Sequence, residues 1–298
     1  DDAEVDARNE TFGYADRFDE KYDLVRTLRI GNIKYMRHFE PFYPDGLQNN
    51  YRYKMLAYEE WRRLFGEGKL NDVQSQFFRP KAAEALYDLE NDPHETHNLA
   101  GDPNAQTTLK KMRTRLDQRL KSMPDLSFIP EAVLFETAMS NPTAFGQQNK
   151  ARIAKLIDTA NLALLSFDEA EDKLREAISD DDPWVRYWGL VAASSIGPSA
   201  EPLASAANDH LSDQEPLVAL RAIELLALVT DKDIRPQLYQ TLGRARNFPE
   251  LLQVLNTAAY LNDFFGDRLT LDVDKVKSSI KIDKKGEIKD RLDYFSAE

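Results

Sequence analysis

The second half of the chain repeats itself. Superposing Asp182-Pro183-Trp184-Val185 on Glu215-Pro216-Leu217-Val218 aligns two stretches 33 residues apart, with Ala192-Ala193 on Leu225-Leu226 and Ile196 on Val229. A third unit covers 232–264 through Leu238, Leu242, Leu251, Leu255 and Tyr260. Such a period marks stacked helix pairs, because each pair carries an apolar face that only its neighbours can bury. Residues 151–270 therefore predict an all-α repeat domain. The charged, weakly periodic stretch 271–298 predicts a short helix and a tail.

The first half follows another pattern. Tyr22–Ile30 and Ile33–Phe39 are strand-like runs flanking Gly31-Asn32, a dipeptide suited to a primed hairpin turn. A two-residue turn pairs Ile30 with Ile33, Leu28 with Tyr35 and Arg26 with Arg37. One face then carries Leu24, Leu28, Ile30, Ile33, Tyr35 and Phe39 with both arginines in its middle. Helical spacing follows over 51–65 (Tyr51, Met55, Tyr58, Trp61, Phe65), briefly around 70–78, and most clearly over 104–121 (Leu109, Met112, Leu116, Leu120). Leu86, Tyr87 and Leu89 form a short strand before the stop at Asp92-Pro93. Residues 123–150, broken by Pro124, Pro130, Pro142 and Gly146, predict a connector.

At 298 residues, 42% apolar and 30% charged, the chain can bury one large core or, more typically, two domains. Its apolar runs fall short of the roughly 20 residues that cross a bilayer. A net charge of −12 argues against nucleic acid as partner, since phosphate binding needs a basic footprint. With no cysteine, the chain has neither disulfides nor thiolate sites. The opening Asp1-Asp2-Ala3-Glu4 has no signal-peptide pattern and reads as a solvated end, or as a chain cut from something longer.

Three segments, in order, resemble the sulfatase family. Asp16-Arg17-Phe18-Asp19-Glu20-Lys21-Tyr22-Asp23 is similar to an Asp-Arg-Met-Asp-Glu-x-Tyr-Asp string of bacterial carbohydrate sulfatases. Val25-Arg26-Thr27-Leu28-Arg29 and Lys34-Tyr35-Met36-Arg37 are similar to the family's hairpin. Residues 84–103, from Glu84-Ala85-Leu86-Tyr87-Asp88-Leu89 through Asp92-Pro93 and Glu95 to Asn98-Leu99-Ala100, resemble its closing segment, with Ala85 departing from the pattern. Asp182-Pro183-Trp184-Val185-Arg186 looks like the start of a HEAT repeat. The fold these resemblances imply is α+β: a small antiparallel sheet with packed helices, the sulfatase C-terminal subdomain, over residues 1–122. The connector 123–150, an all-α HEAT-like domain over 151–270 and the tail 271–298 complete it.

The resemblance implies hydrolysis of sulfate esters of carbohydrates, outside the cytoplasm, periplasmic or extracellular. In that family a cysteine or serine in Cys/Ser-x-Pro-x-Arg becomes formylglycine, and a calcium held by Asp and Asn polarises the sulfate. Those elements lie upstream of the matched region. Ser122-Met123-Pro124 and Ser140-Asn141-Pro142 have the serine and proline, but Leu126 and Ala144 stand where arginine belongs. The chain thus reads as a C-terminal portion with no catalytic residue of its own. Calcium and formylglycine are expected in an N-terminal catalytic portion that is its partner, with sulfated carbohydrate as substrate. A second copy of the chain is a further candidate partner. The competing reading is a stand-alone helical-repeat scaffold with a degenerate sulfatase remnant.

Asp16 and Arg17 are the substrate-binding candidates, in a loop that in relatives approaches the mouth of the active site, and His38 joins them on the cleft wall. Arg17 could bind a sulfate or a sugar hydroxyl in bidentate fashion; otherwise this is a surface cluster capping the strand. Arg26 and Arg37 oppose each other on an apolar face, so burial demands an anion: Asp23, Asp88, an acid of the partner, or sulfate. Solvent exposure is the remaining reading. His94 and His97, three apart beside a proline, lack the spacing of a zinc pair, and no metal site is expected. Trp184, Tyr187 and Trp188 are either core packing or a sugar-stacking platform. Asn9-Glu10-Thr11 fits a glycosylation sequon.

Overall fold

The computed structural model describes residues 9–297. The acidic opening Asp1-Asp2-Ala3-Glu4 lies outside them. Four antiparallel strands form one sheet in the order β1 (Glu10–Phe18), β2 (Lys21–Ile30), β3 (Ile33–His38), β4 (Glu84–Asp88). The β2–β3 register is the expected one, with Ile30 opposite Ile33, Leu28 opposite Tyr35 and Arg26 opposite Arg37. Gly31 adopts φ +59°, a backbone that glycine enters without a Cβ penalty.

β1 is an addition to the expected hairpin. Asp16 and Arg17 are strand residues, not loop residues. Phe12 and Tyr14 alternate as a strand requires, but the turn into β2 has no glycine. Asp19 takes φ +48° there instead, one of the few non-glycine types that tolerate the left-handed region. A register shift between Ala15 and Arg17 then sets Arg17 opposite Tyr22.

After the sheet's third strand, a one-turn helix at Asn50–Tyr53 and helix α1 (Leu56–Gly66) replace the single helix expected over 51–65, and neither buries a residue. A one-turn helix (Asp72–Ser75) precedes β4. Helix α2 (Gln106–Ser122) buries the predicted stripe Leu109, Met112, Leu116 and Leu120 in one cluster with Leu28, Tyr35 and Leu86. The apolar hairpin face is therefore covered by the chain itself.

The expected connector is helical, with α3 (Glu131–Thr137) and α4 (Pro142–Gln148) started by the prolines that suggested a linker. Then come α5 (Lys150–Ala160), α6 (Phe167–Ile178), α7 (Pro183–Ile196), α8 (Ala204–Asp209), α9 (Pro216–Val229), α10 (Arg235–Arg244) and α11 (Phe248–Leu269). Helices α7 and α9 start 33 residues apart, each with proline in its first turn and 14 residues long. The expected tail holds α12 (Val273–Ser279) and α13 (Glu287–Ala297), which bury Val276, Ile288, Leu292 and Phe295. One apolar cluster continues from Tyr22 to Phe295. No helix among the described residues is long and apolar enough to cross a membrane.

Candidate functional site

A cleft of about 710 Å³ opens between the β1–β2 end of the sheet and the helices, and both Asp16 and Arg17 line it. Its base is aromatic. Phe128 lies 5.2 Å from the Trp188 ring and 4.8 Å from Phe39, and Trp188 Nε1 donates to the Phe128 carbonyl at 2.7 Å. Trp188, Tyr187 and Trp184 are buried in the core, which answers the choice left open for them: they brace the cleft rather than offer free faces.

Each sequence-predicted side chain on the wall already has partners. Asp16 accepts from Arg26 at 2.7 Å and from the Ser127 hydroxyl at 2.9 Å. Arg17 reaches Glu131 at 3.2 Å through Nε, and its Nη1 donates to the Asp19 carbonyl at 2.6 Å. The Tyr22 hydroxyl donates to Glu131 at 2.7 Å. Burial lowers the Arg17 guanidinium, but the charge and hydrogen bond of Glu131 together with Tyr22 and Glu287 outweigh it and hold Arg17 above its ordinary value. Burial, then Glu131, pushes the Tyr22 phenol well up. Nothing in the sequence linked Glu131 or Ser127 to β1; they arrive from the stretch read as a connector.

The lining is acidic. Asp16, Asp19, Glu40, Glu131 and Glu287 face it with Arg17 as their counter-charge on the wall. Beneath the floor Arg221 is fully buried and binds Glu40, Glu224 at 2.6 Å, and the Tyr187 hydroxyl. Burial first, then the charge of Glu40, pushes the Glu224 carboxyl well above its ordinary value, and burial moves the Tyr187 phenol up to about 12. Carboxylates and phenols with fixed partners offer hydrogen bonds to hydroxyl-rich ligands. Sulfate gains little here, because the guanidinium on the wall is already neutralised.

His38 is not on this wall. It pairs with Val25 across the ladder and therefore faces the opposite side of the sheet. There its Nδ1 lies 2.8 Å from the Ala82 carbonyl. Arg26 and Arg37 are both buried, but not on Asp23 or Asp88. Arg26 takes Asp125 in bidentate fashion at 2.6 and 3.0 Å, together with Asp16. Among the described residues Arg37 has no carboxylate in its ion-pairing shell. It donates to the carbonyls of His38, Ala83 and Ala160, the last two at 3.0 and 2.9 Å. The demand for an anion was too strict, because three carbonyl dipoles can solvate a guanidinium.

Asp23 instead lies between Lys21 at 2.8 Å and Lys81 at 2.6 Å. Glu95, between the two histidines weighed as metal ligands, pairs with Lys34 at 2.7 Å. Among the described residues no three His, Asp or Glu side chains converge as a metal site would.

No protein-family profile matches the chain. An ulvan-active sulfatase of Formosa agariphila is 40% identical over 121 residues, which is 40% of this chain and 20% of that protein. The chain thus contains a sulfatase-related region and spans about a fifth of that relative's length.

Proposed function

We propose that this chain is the C-terminal portion of a sulfatase acting on sulfated carbohydrate, with the chemistry supplied by an N-terminal catalytic portion. The observation that carries this reading is the 40% identity to an ulvan-active sulfatase over 121 residues. On this reading the sheet subdomain completes the catalytic domain, and Asp16 and Arg17 form part of the substrate wall. Residues 151–270 form a HEAT-like buttress behind it, consistent with the 33-residue offset of α7 and α9. Calcium and formylglycine belong to the catalytic portion. The enzyme works in the periplasm or outside the cell, where polymeric sulfated glycans occur.

A second feature favours a large partner. The Asn50–Tyr53 turn and α1 hold no fully buried residue, although Trp61 and Phe65 stack on Phe77 and Phe78. Next to them Phe18, Tyr51, Met55 and Leu56 are exposed, Leu56 by 80%. Contiguous exposed apolar side chains of this size mark an interaction face. The patch is firmly held, since Asn49 Nδ2 donates to the Phe18 carbonyl at 2.8 Å and Arg291 to the Gln48 carbonyl at 2.8 Å. It also adjoins the cleft through Asp19.

Ion chromatography of inorganic sulfate released from ulvan tests the reading. The chain alone should release none, and adding the catalytic portion should restore release. Sulfate release by the purified chain alone would overturn the assignment.

A further inference from the structure

Helix α2 has the opposite electrostatics from the cleft. It carries Lys110, Lys111, Arg113, Arg115, Arg119 and Lys121 against one acid, Asp117, in a chain of net charge −12. Several of these cations are committed: Arg113 to Glu84 at 3.0 Å, Arg115 to Glu10 at 2.8 Å and Lys121 to Asp158 at 2.5 Å. Arg119 lies over the Phe12 ring at 4.8 Å. Lys110 and Lys111 are exposed and have no ion-pair partner among the described residues.

These two lysines line an open groove of about 610 Å³ with Thr107, Thr114 and Gln118. Positions 107, 110, 111, 114 and 118 repeat at helical spacing and share one face, roughly 16 Å long at 1.5 Å per residue. Exposed ammonium groups flanked by hydroxyl and amide donors match a sugar chain bearing sulfates. The ammonium supplies the charge, and the hydroxyl and amide groups read ring oxygens and hydroxyls.

The groove lies along the same strand as the cleft. Glu10 of β1 borders it. Phe12, Tyr14 and Arg119 line the apolar hollow that comes next, and Tyr14 and Asp16 border that hollow and the cleft alike. Strand β1, about 30 Å long at some 3.3 Å per residue, thus runs from the Lys110/Lys111 groove to the acidic pocket.

We propose that the Lys110/Lys111 face of α2 is an anchoring site for sulfated polysaccharide, separate from the cleft. It holds the anionic part of a polymer whose less charged stretch runs along β1. The anchoring stands on the charge arrangement alone; only its use in feeding a sulfatase rests on the function proposed above. Nucleic acid fits less well, because the groove has no exposed ring on which bases could stack.

Affinity electrophoresis and calorimetry with dextran sulfate, against unsulfated dextran, test the anchor on the whole chain. Dextran sulfate should bind and dextran should not. The double variant Lys110→Glu/Lys111→Glu should lose about tenfold or more in affinity, with a shallower dependence on salt as two counterion-releasing contacts disappear. Lys284→Glu/Lys285→Glu, the same charge change elsewhere on the surface, should bind as the parent does. An equal loss in both double variants, or equal binding of duplex DNA at matched charge, would overturn the proposal. Absence of sulfate release bears only on the sulfatase reading, since the anchor is read by binding.

Discussion

Arg26 and Arg37 stand directly opposite each other across the β2–β3 ladder, yet their guanidinium groups have different solvation. Arg26 is held by two carboxylates, one of them, Asp16, 45% exposed. Arg37 is 2% exposed and relies on carbonyls, and burial lowers its guanidinium to about 10. Truncation should therefore cost different amounts. Arg37→Ala strips three carbonyls of their donor and leaves a void, and should cost about 3 kcal/mol or more. Arg26→Ala leaves acids that water can partly reach, and should cost about 1–2 kcal/mol. Urea denaturation of both variants measures the difference; an Arg26→Ala variant as damaged as Arg37→Ala would contradict this account.

The buried network under the cleft predicts strong coupling. Arg221 is shared by Glu40 and Glu224, all three buried. Arg221→Met leaves two acids in the core without their cation and should cost about 3–5 kcal/mol. Adding Glu40→Gln and Glu224→Gln removes the acids left without their guanidinium and should recover part of that loss. Thermal melts of Arg221→Met, of Glu40→Gln/Glu224→Gln and of the triple variant together give the coupling.

His38 predicts a pH dependence. Burial, then the Lys81 charge, lowers its imidazole below the ordinary 6.5. A base with a depressed folded-state value resists protonation only when folded. Its contribution to stability is therefore complete above about pH 6.5 and is lost as pH falls toward the folded value. The parent should lose more stability between pH 7 and pH 5 than His38→Gln does. Melting temperatures across that range, with the variant subtracted, isolate this one group; parallel curves would exclude it.

The elements set by local chemistry were legible in the sequence. Gly31-Asn32 defined the hairpin and its register, the Leu109–Leu120 stripe defined α2, and the Asp-Pro and Glu-Pro starts defined α7 and α9. What escaped depends on distant partners. β1 was obscured because its turn uses Asp19 where glycine is customary. The prolines at 130 and 142 looked like linker residues but sit at helix starts. His38 was assigned to the cleft by resemblance, whereas alternation along β3 turns it to the other face. Of the cleft lining, Asp16 and Arg17 were singled out in the sequence as substrate-binding candidates. Glu131, which holds Arg17, lies 114 residues away with no pattern joining the two.

Arg17 allows stability and binding to be separated. Its pair with Glu131 is partly solvated, at 29% and 40% exposure. Such pairs contribute roughly 0–1 kcal/mol, so Arg17→Ala should leave the melting temperature nearly unchanged. If, as the function proposed above requires, the side chain also contacts sulfated carbohydrate, KM measured with the catalytic portion present should rise several-fold while kcat changes little. Unchanged KM with intact folding would assign Arg17 to surface structure alone.

Gly189 in α7 tests how closely the helices pack. A methyl group there would meet Ala177 Cβ at 3.0 Å and the Ile178 backbone nitrogen at 3.2 Å. Alanine is the better helix former by up to about 1 kcal/mol, but overpacking against a neighbouring helix end costs about 1–3 kcal/mol. Backbone cannot swing aside as a flexible side chain can, so the steric term should win and Gly189→Ala should lose about 1 kcal/mol. Gly66, at the end of α1, has nothing within 4 Å of the same methyl, and Gly66→Ala should be neutral or slightly stabilising. Chemical denaturation of both variants compares the two directly. A stabilised Gly189→Ala would mean that α6 and α7 can separate freely, and that glycine does not set their spacing.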